Sequence, residues 1–210
     1  MNEISLTVAK QLLDIKAIRL QPTNPFTWAS GWKSPIYCDN RKALSYSAAR
    51  TYIKESFAKI AKEKYADFDV VAGVATGAIA QGALVADLLN KPFIYVRSAP
   101  KNHGMENLIE GDLKAGQKVL VIEDLISTGG SSLKAVEALR NAGAEVVGML
   151  AIFTYGFQKA VDAFADAKVE LTTLSNYNDM IQAAVESGYV TSADIDTLKE
   201  WRKSPDTWGC

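Results

Sequence analysis

Residues 119–132 read Val-Leu-Val-Ile-Glu-Asp-Leu-Ile-Ser-Thr-Gly-Gly-Ser-Ser, and this stretch decides the fold. Four aliphatic residues precede two adjacent acids, and a run of hydroxyl and glycine residues then leads into a helical pattern. An apolar run of this length before a helix is typical of a buried parallel strand. Charged residues at the carboxyl end of such a strand lie in the crevice where open α/β sheets bind ligands. The stretch therefore predicts an α/β fold with a ligand site at the end of this strand.

The small residues that follow the strand predict a phosphate cradle. Residues 127–131 let the backbone approach an anion closely, and the N-terminus of the next helix favours negative charge. Glu123 and Asp124 would stand on the rim, where they could bind ribose hydroxyls, hold a metal through water or pair with basic residues. The alternative is that they only cap the helix. Because the Gly-x-Gly-x-x-Gly pattern of dinucleotide sites and the lysine of a Walker A loop are absent, we expect a site for a phosphorylated sugar.

The composition is that of an ordinary globular protein, with 48% apolar and 22% charged residues in 210. This length predicts one domain, or one domain with a small appendage. The net charge of -1 argues against a large nucleic-acid or anionic-membrane footprint. We find no signal-peptide pattern in residues 1–10 and no apolar run long enough to span a membrane. Cys38 and Cys210 lack metal-like or disulfide-like spacing, so we expect a reducing cytosol.

The N-terminal part of the chain predicts two helices and an irregular hairpin. Apolar residues recur at helical spacing over 4–18, which predicts a first helix of about four turns. Two β-rich flanks, 26–29 and 36–38, lie on either side of Ser30 and Gly31, as in a hairpin. Pro35 favours an edge strand, because proline cannot donate to a sheet ladder. Residues 46–64 are again helical by period.

From residue 70 onward, strand and helix patterns alternate. Strand-length apolar runs lie at 70–74, 93–96, 119–122, 146–153 and 169–174. Helical patterns are present at 79–90, from about 132 to Gly143, and at 159–165, 177–186 and 192–203. Residues 97–111 are polar and have no period. Repeated β-α-β units predict a parallel sheet flanked by helices.

The acid pair followed by Ile126-Ser-Thr-Gly-Gly-Ser131 closely resembles the phosphoribosyl-pyrophosphate (PRPP) signature of type I phosphoribosyltransferases. Residues 26–37, which read Phe-Thr-Trp-Ala-Ser-Gly-Trp-Lys-Ser-Pro-Ile-Tyr, resemble the base-recognition segment of the orotate phosphoribosyltransferases. Residues 97–111 resemble their mobile catalytic loop. The resemblance implies a parallel sheet flanked by helices with a small N-terminal hood. The hood would comprise about residues 1–45 with parts of the C-terminus, and the core about 46–175, within a single domain 1–210.

The reaction implied by this resemblance transfers ribose 5-phosphate from PRPP to N1 of orotate, giving orotidine 5′-phosphate and pyrophosphate in pyrimidine biosynthesis. Mg²⁺ would bridge substrate oxygens with no direct protein ligand, through water to Glu123 or Asp124 at most. The loop 97–111 would be shared across a homodimer. The implied catalytic residues are Arg97, Lys101, His103 and Asp124. Arg97, Lys101 and His103 would also bind substrate, together with Glu123, Asp124, Leu125, Ile126, Ser127, Thr128, Gly129, Gly130 and Ser131.

Several side chains keep two interpretations. The three basic loop residues could instead belong to a solvated surface loop. Lys33 either helps to bind orotate beside Ser127 or is a solvated turn lysine, and Arg41 binds an anion or forms a surface salt bridge. Trp28 is expected to pack between hood and core. Trp201 and Trp208 either anchor an interface or cover the core.

The chain departs from some relatives at positions where they carry cations. It has Ala29, Gly77 and Ser98 where lysines occur, and no arginine at 153–156 after the fourth strand. We therefore expect fewer cationic contacts, with the backbone N–H groups of Thr76 and Gly77 binding pyrophosphate instead.

Three other functions compete with this interpretation. Transfer to a purine base would normally involve recognition from the C-terminal side. An RNA-binding regulator would need a basic face, which the net charge disfavours. A synthetase that makes the pyrophosphoryl sugar would need a nucleotide site that the sequence does not offer.

Overall fold

A six-stranded sheet forms the centre of the protein. The structure, a computed structural model, describes residues 2–28, 30–65, 67–99 and 108–209. The strands are β1 (Ile18–Leu20), β2 (Phe26–Thr27), β3 (Lys33–Ser34), β4 (Ile36–Cys38), β5 (Val70–Val74), β6 (Phe93–Val96), β7 (Ile109–Glu110), β8 (Lys118–Ile126), β9 (Glu145–Thr154) and β10 (Leu171–Asn176). The helices are α1 (Asn2–Asp14), α2 (Ser47–Lys64), α3 (Ile79–Leu89), α4 (Gly130–Asn141), α5 (Gln158–Asp166), α6 (Tyr177–Glu186) and α7 (Asp194–Lys203), with a 3-10 helix at Asn40–Ser45.

The central sheet has the strand order β10-β9-β8-β5-β6-β7, and only β7 runs antiparallel to its neighbour. Residues of β8 alternate between its two faces. Leu120 and Ile122 join a core with α1, α2, α3 and α6. Val119 and Val121 join a second core with α4 and α5. Both faces are covered by helices, as the apolar strand runs predict, and the predicted α/β fold is confirmed.

The first helix is shorter than the sequence pattern suggested. It ends at Asp14, and Lys16 takes a left-handed conformation with φ 56. Ile18, predicted as its last apolar residue, instead starts β1, which pairs antiparallel with β4. The extension of the helix to 18 was therefore wrong, because Lys16 turns the chain before the apolar series ends.

The predicted hairpin is present in part. β2 and β3 pair antiparallel around Ser30 and Gly31, where Gly31 has φ +88. The other predicted flank, β4, pairs with β1 in a separate two-stranded sheet. Pro35 lies between β3 and β4, and its carbonyl accepts a hydrogen bond of 2.7 Å from the N–H of Gln21.

Strand β8 extends beyond its predicted end at residue 122. It continues to Ile126 and pairs with β9 as far as Thr154. Both acids therefore lie within the strand, and the cradle begins only at Ser127. Within 97–111, residues 97–99 and 108–111 are described, and β7 (Ile109–Glu110) pairs with β6 where no regular structure was predicted.

The last helix fixes the N-terminal segment to the sheet. Trp201 is fully buried, and its Nε1 donates to the carbonyl of Lys33 at 3.2 Å. Its ring lies 5.6 Å from that of Trp28 and 5.7 Å from that of Tyr155. Trp208 is partly buried against the same core. Trp201 and Trp208 were expected either to anchor an interface or to cover the core, and both cover the core.

In the part of the chain that is described, no helix is long and apolar enough to cross a bilayer.

Candidate active site

The carboxyl end of β8 opens into a cavity of about 350 Å³, which we call the cradle cavity. The chain turns at Gly129, which has φ +83, and α4 begins at the next residue. Ser127 and residues 128–132 form one wall, and Cys38, Asp39 and Arg41 form the other. The N-terminus of a 12-residue helix thus faces the cavity, an arrangement that favours a bound phosphate.

The two adjacent acids occupy different environments. Asp124 is half-buried and lines the cradle cavity. Glu123 is only 4% exposed; its Oε2 accepts from Ser132 Oγ at 2.7 Å and its Oε1 from the N–H of Asp124 at 2.8 Å. Burial, reinforced by the Asp124 carboxylate, raises the pKa of Glu123 to about 8. The expectation of two acids on the rim is corrected: Asp124 lies there, and Glu123 ties β8 to α4.

Glu123 should make stability depend on pH. Its folded pKa lies above that of an unfolded glutamate, so the folded state binds the extra proton and stability falls as pH rises from about 4.5 to about 8. Glu123→Gln removes this effect and keeps a carbonyl acceptor for Asp124 N–H. From pH 5.5 to pH 8.5 we expect the wild type to lose about 2–3 kcal/mol more of its free energy of unfolding than the variant does. Urea unfolding at both pH values measures this, and parallel stability curves would contradict it.

The turn after β5 lies directly against Asp124. A Cβ built on Gly77 would stand 2.1 Å from Asp124 Oδ2, so only glycine fits while the carboxylate keeps this position. Asn40 Nδ2 donates to the main-chain carbonyl of Asp124 at 2.7 Å. The Thr76-Gly77 turn therefore lies beside the Asp124 carboxylate, and its binding of pyrophosphate stays a prediction. Asn40, buried at 2% exposure, was not predicted, because nothing in the local sequence distinguishes it from a surface asparagine.

Gly77→Ala should displace the Asp124 carboxylate. The new methyl group and Oδ2 cannot coexist at 2.1 Å, and the half-buried side chain can rotate away without disturbing the core. We expect kcat/KM for the reaction proposed below to fall at least about tenfold, with little change in Tm. Gly148→Ala is the matched control, since its Cβ would meet Tyr65 Cε1 at 2.4 Å inside the fold. It should lower Tm and spare kcat/KM; the opposite pattern would refute the explanation.

A second cavity of about 240 Å³, the aromatic cavity, adjoins the first. It is lined by Thr27, Trp28, Tyr37, Cys38, Leu125, Ser127 and Tyr155. Cys38, Leu125 and Ser127 also line the cradle cavity, so a ligand can extend from one to the other. Aromatic walls and several hydroxyl groups suit a small planar ring with polar edges.

Several predicted residues surround these two cavities. Trp28 packs as predicted, with its ring 5.3 Å from that of Tyr155 and its Nε1 donating to the carbonyl of Ile36 at 3.0 Å. Leu125 lines both cavities. Ile126 is wholly buried in the core, so the predicted contact of its side chain with substrate is wrong. Arg41 pairs with Asp39 at 2.7 Å, which confirms the salt bridge. It also lines the cradle cavity, and anion binding by Arg41 stays a prediction.

The predicted cations are distributed unevenly. Arg97 lies 3.6 Å from Glu110 and lines a third cavity of about 580 Å³, together with Ala75 and Ser131. Lys33 Nζ donates to Thr27 Oγ1 at 2.9 Å and is not among the described lining residues of the first two cavities. Lys101, His103 and Ala29 lie outside the described residues.

An unpredicted guanidinium group lies at the end of β9. The sequence has no arginine at 153–156, but Arg202 of α7 donates to the carbonyls of Tyr155 at 2.9 Å and Gly156 at 3.1 Å. It is not among the described lining residues of the aromatic cavity, but it bonds to Tyr155, which is. Sequence reasoning missed it because the contact joins residues 46 and 47 positions apart.

Comparison with known proteins covers both the N-terminal segment and the core. Residues 47–189 match the phosphoribosyl transferase domain family. The orotate phosphoribosyltransferase of Porphyromonas gingivalis is 59% identical over 209 residues, covering 100% of both chains. That of Bacteroides fragilis is 61% identical over 208 residues, covering 99% of this chain and 98% of the relative. The crystal structure of orotate phosphoribosyltransferase from Aeropyrum pernix has a TM-score of 0.75 and 29% identity, covering 88% of this chain and 99% of that one.

Proposed function

The chain belongs to the orotate phosphoribosyltransferase family, and we propose from this premise that its two joined cavities transfer ribose 5-phosphate from PRPP to orotate. The reaction is a pentosyl transfer in pyrimidine biosynthesis. The observation that supports this assignment is the junction of the two cavities at Ser127 and Leu125, with Asp124 on the rim of the cradle cavity. A phosphorylated sugar fits one cavity and a planar base the other.

The donor occupies the cradle cavity in this proposal. Its 5-phosphate accepts from main-chain N–H groups at 128–131, where the α4 N-terminus adds favourable charge. Asp124 accepts from the ribose hydroxyls. The pyrophosphate lies toward Thr76 and Gly77, whose turn is beside the Asp124 carboxylate. These contacts hold C1 of the ribose near Ser127, at the entrance to the aromatic cavity.

The acceptor occupies the aromatic cavity, with Ser127 bonded to its polar edge. In the reaction the bond from C1 to the pyrophosphate oxygen breaks, and its electron pair leaves with pyrophosphate. An electron pair on N1 of orotate forms the new bond to C1, and the N1 proton is released. Positive charge develops on the sugar and negative charge on the leaving group, so both need stabilisation. Asp124 lies close enough to the ribose site to stabilise the sugar.

The leaving group would be neutralised by Arg97, Lys101 and His103. This assignment rests on the sequence resemblance, and Arg97 is supported by lining a cavity beside Ala75 and Ser131. Cationic side chains bind pyrophosphate oxygens through charge-assisted hydrogen bonds. A loop that carries them can admit substrate and then exclude water from the reactive sugar.

Mg²⁺ is the proposed cofactor, held mainly by the donor. Among the described residues, no group of three or more His, Cys, Asp or Glu side chains is suitably placed to hold a metal ion. Glu123 is engaged by Ser132 and Asp39 by Arg41, whereas Asp124 faces the cradle cavity. These residues fit a cation that takes its ligands from pyrophosphate, ribose and water. Bound there, it would add charge stabilisation of the leaving group.

A homodimer is proposed, with the segment 97–111 serving the partner's site. Support comes from α3, where Ala80, Leu84 and Leu88 form a stripe at four-residue spacing. Ala80 is exposed, Leu84 is half-buried and Leu88 is 42% exposed. Because α3 follows the Thr76-Gly77 turn, a second copy on this stripe would lie near the active site.

The hood and core division and the compartment are also proposals. Residues 1–45 with parts of the C-terminus would cover the core 46–175, which is supported by the contact of Trp201 with Trp28. The cytosol is supported by Cys38, a free thiol.

An acceptor panel tests the proposed function. Purified protein is incubated with PRPP and Mg²⁺, and pyrophosphate release is measured with orotate, uracil, hypoxanthine, guanine or adenine. We expect release with orotate alone. Release with a purine and none with orotate would assign the site to another transferase.

A further inference from the structure

All three nitrogen atoms of the Arg202 guanidinium make hydrogen bonds. Nε donates to the carbonyl of Tyr155 at 2.9 Å and one terminal nitrogen to that of Gly156 at 3.1 Å. The other terminal nitrogen donates to Asn178 Oδ1 at 3.2 Å. The planar fork of arginine suits two neighbouring acceptors, which a lysine cannot match. Arg202 thus clamps the two residues that follow β9.

Gly156 has the geometry that this clamp requires. It takes a left-handed conformation with φ +66. A Cβ on this residue would stand 2.7 Å from a terminal nitrogen of Arg202. The guanidinium therefore lies directly on the backbone, where any side chain would push it away.

The clamped turn is bonded to the strand that carries Ser127. The N–H of Gly156 donates to Thr154 Oγ1 at 3.0 Å, and this hydroxyl donates to the carbonyl of Ile126 at 3.3 Å. The N–H of Tyr155 donates to the same carbonyl at 3.2 Å. Since Ile126 directly precedes Ser127, Arg202 supports the Ser127 backbone through two hydrogen-bonded steps.

Both ends of this network reach the aromatic cavity. Tyr155 and Ser127 line it, and the Tyr155 ring packs 5.3 Å from that of Trp28, a third wall. Arg202 is not among the described residues that line this cavity. Any effect of Arg202 on this cavity is therefore transmitted through the residues to which it bonds.

We propose that Arg202 is a positioning residue for the acceptor base, which it serves by clamping Tyr155 and the turn bonded to Ser127. The inference rests on the proposed function, because it takes the aromatic cavity as the orotate site. A planar ring gains most from walls that are already fixed, since binding then costs less ordering free energy. The 5-phosphate contacts at 128–131 lie in the turn before α4 and in its first residues, to which Arg202 makes no hydrogen bond in the structure described. Loss of the clamp should therefore weaken orotate more than PRPP.

The test compares Arg202→Ala and Arg202→Lys with Arg140→Ala in full steady-state kinetics. Arg140 is a matched control because its guanidinium also caps two main-chain carbonyls, those of Ala167 at 2.8 Å and Lys168 at 3.3 Å, away from both cavities. We expect Arg202→Ala to raise the orotate KM about tenfold while the PRPP KM stays within about twofold. Arg202→Lys, which can reach one carbonyl, should give an intermediate rise of about threefold.

Each outcome decides the proposal. Because KM does not depend on the amount of folded enzyme, a loss of stability alone leaves it unchanged, and Arg140→Ala should show that pattern. If the wild type uses orotate but the orotate KM is unchanged in both Arg202 variants, the positioning role is overturned and the proposed function stands. Equal rises in both KM values would also overturn the positioning role. A wild type that does not use orotate would refute the proposed function itself.

Discussion

Asp124→Asn should reduce kcat/KM for orotidine 5′-phosphate formation by about a hundredfold to a thousandfold, the range typical of removing one preorganised electrostatic contact. The side chain lines the cradle cavity and adjoins Gly77. Asparagine keeps its size but removes the charge that would hold the ribose hydroxyls and stabilise positive charge on the sugar. The bond from Asn40 reaches the main-chain carbonyl, so the substitution leaves that support in place.

The control for this substitution is Asp162→Asn. Asp162 is exposed on α5, accepts a hydrogen bond from Gln158 at 2.8 Å and is not among the described lining residues of either cavity. Its replacement should leave kcat/KM unchanged. If Asp124→Asn retained activity within about threefold of the wild type and kept the same Tm, the assignment of Asp124 to the ribose would be wrong.

Two inactive variants should restore each other's activity when mixed. Lys101→Ala should remove a cation that acts on the leaving pyrophosphate. Asp124→Asn should remove the carboxylate at the ribose. If the segment 97–111 serves the partner's site, a mixed dimer has one site with both residues intact. Random exchange places half of the chains in mixed dimers, so about a quarter of wild-type activity should return.

Subunit exchange must be verified, for example with two purification tags on the two variants. Activity is then measured on the doubly tagged dimer alone, where one intact site of two should give about half of wild-type activity. A mixture of two Lys101→Ala samples serves as the control and should stay inactive. No recovery in verified mixed dimers would mean that each site is completed by its own chain.

The sheet could be predicted from local sequence because its strands are buried on both faces. The apolar run before Glu123 predicted β8, and small residues after it predicted the turn at Gly129 and the start of α4. The strand end was placed too early because charged residues are an ordinary signal for leaving a sheet. Here the strand continues to Ile126, since Glu123 is satisfied by Ser132 inside the fold.

The different environments of Glu123 and Asp124 follow from the continuation of β8 to Ile126. In a strand, successive side chains face opposite sides. Val121 and Glu123 face α4, while Ile122 faces the core with α2 and α3, and Asp124 approaches Gly77 before α3. A strand predicted to continue to residue 126 would have placed Glu123 and Asp124 on opposite faces of the sheet, and so in different roles.

Other parts of the site depend on contacts that no local pattern contains. Asn40 bonds to a residue 84 positions away, and Arg202 reaches Tyr155 across 47 positions. Their side chains are ordinary for a 3-10 helix and for a C-terminal helix turn. The packing of Trp201 against Tyr155 brings the last helix, and with it Arg202, to the end of β9.

The central claim is that the cradle cavity and the aromatic cavity together join ribose 5-phosphate to orotate. The most direct measurement quantifies both products from PRPP, orotate and Mg²⁺ in one reaction, with orotidine 5′-phosphate identified by mass and pyrophosphate by enzymatic assay. We predict equal amounts of the two products, and neither without orotate. Pyrophosphate release without orotidine 5′-phosphate, or no reaction with active donor and metal present, would contradict the account.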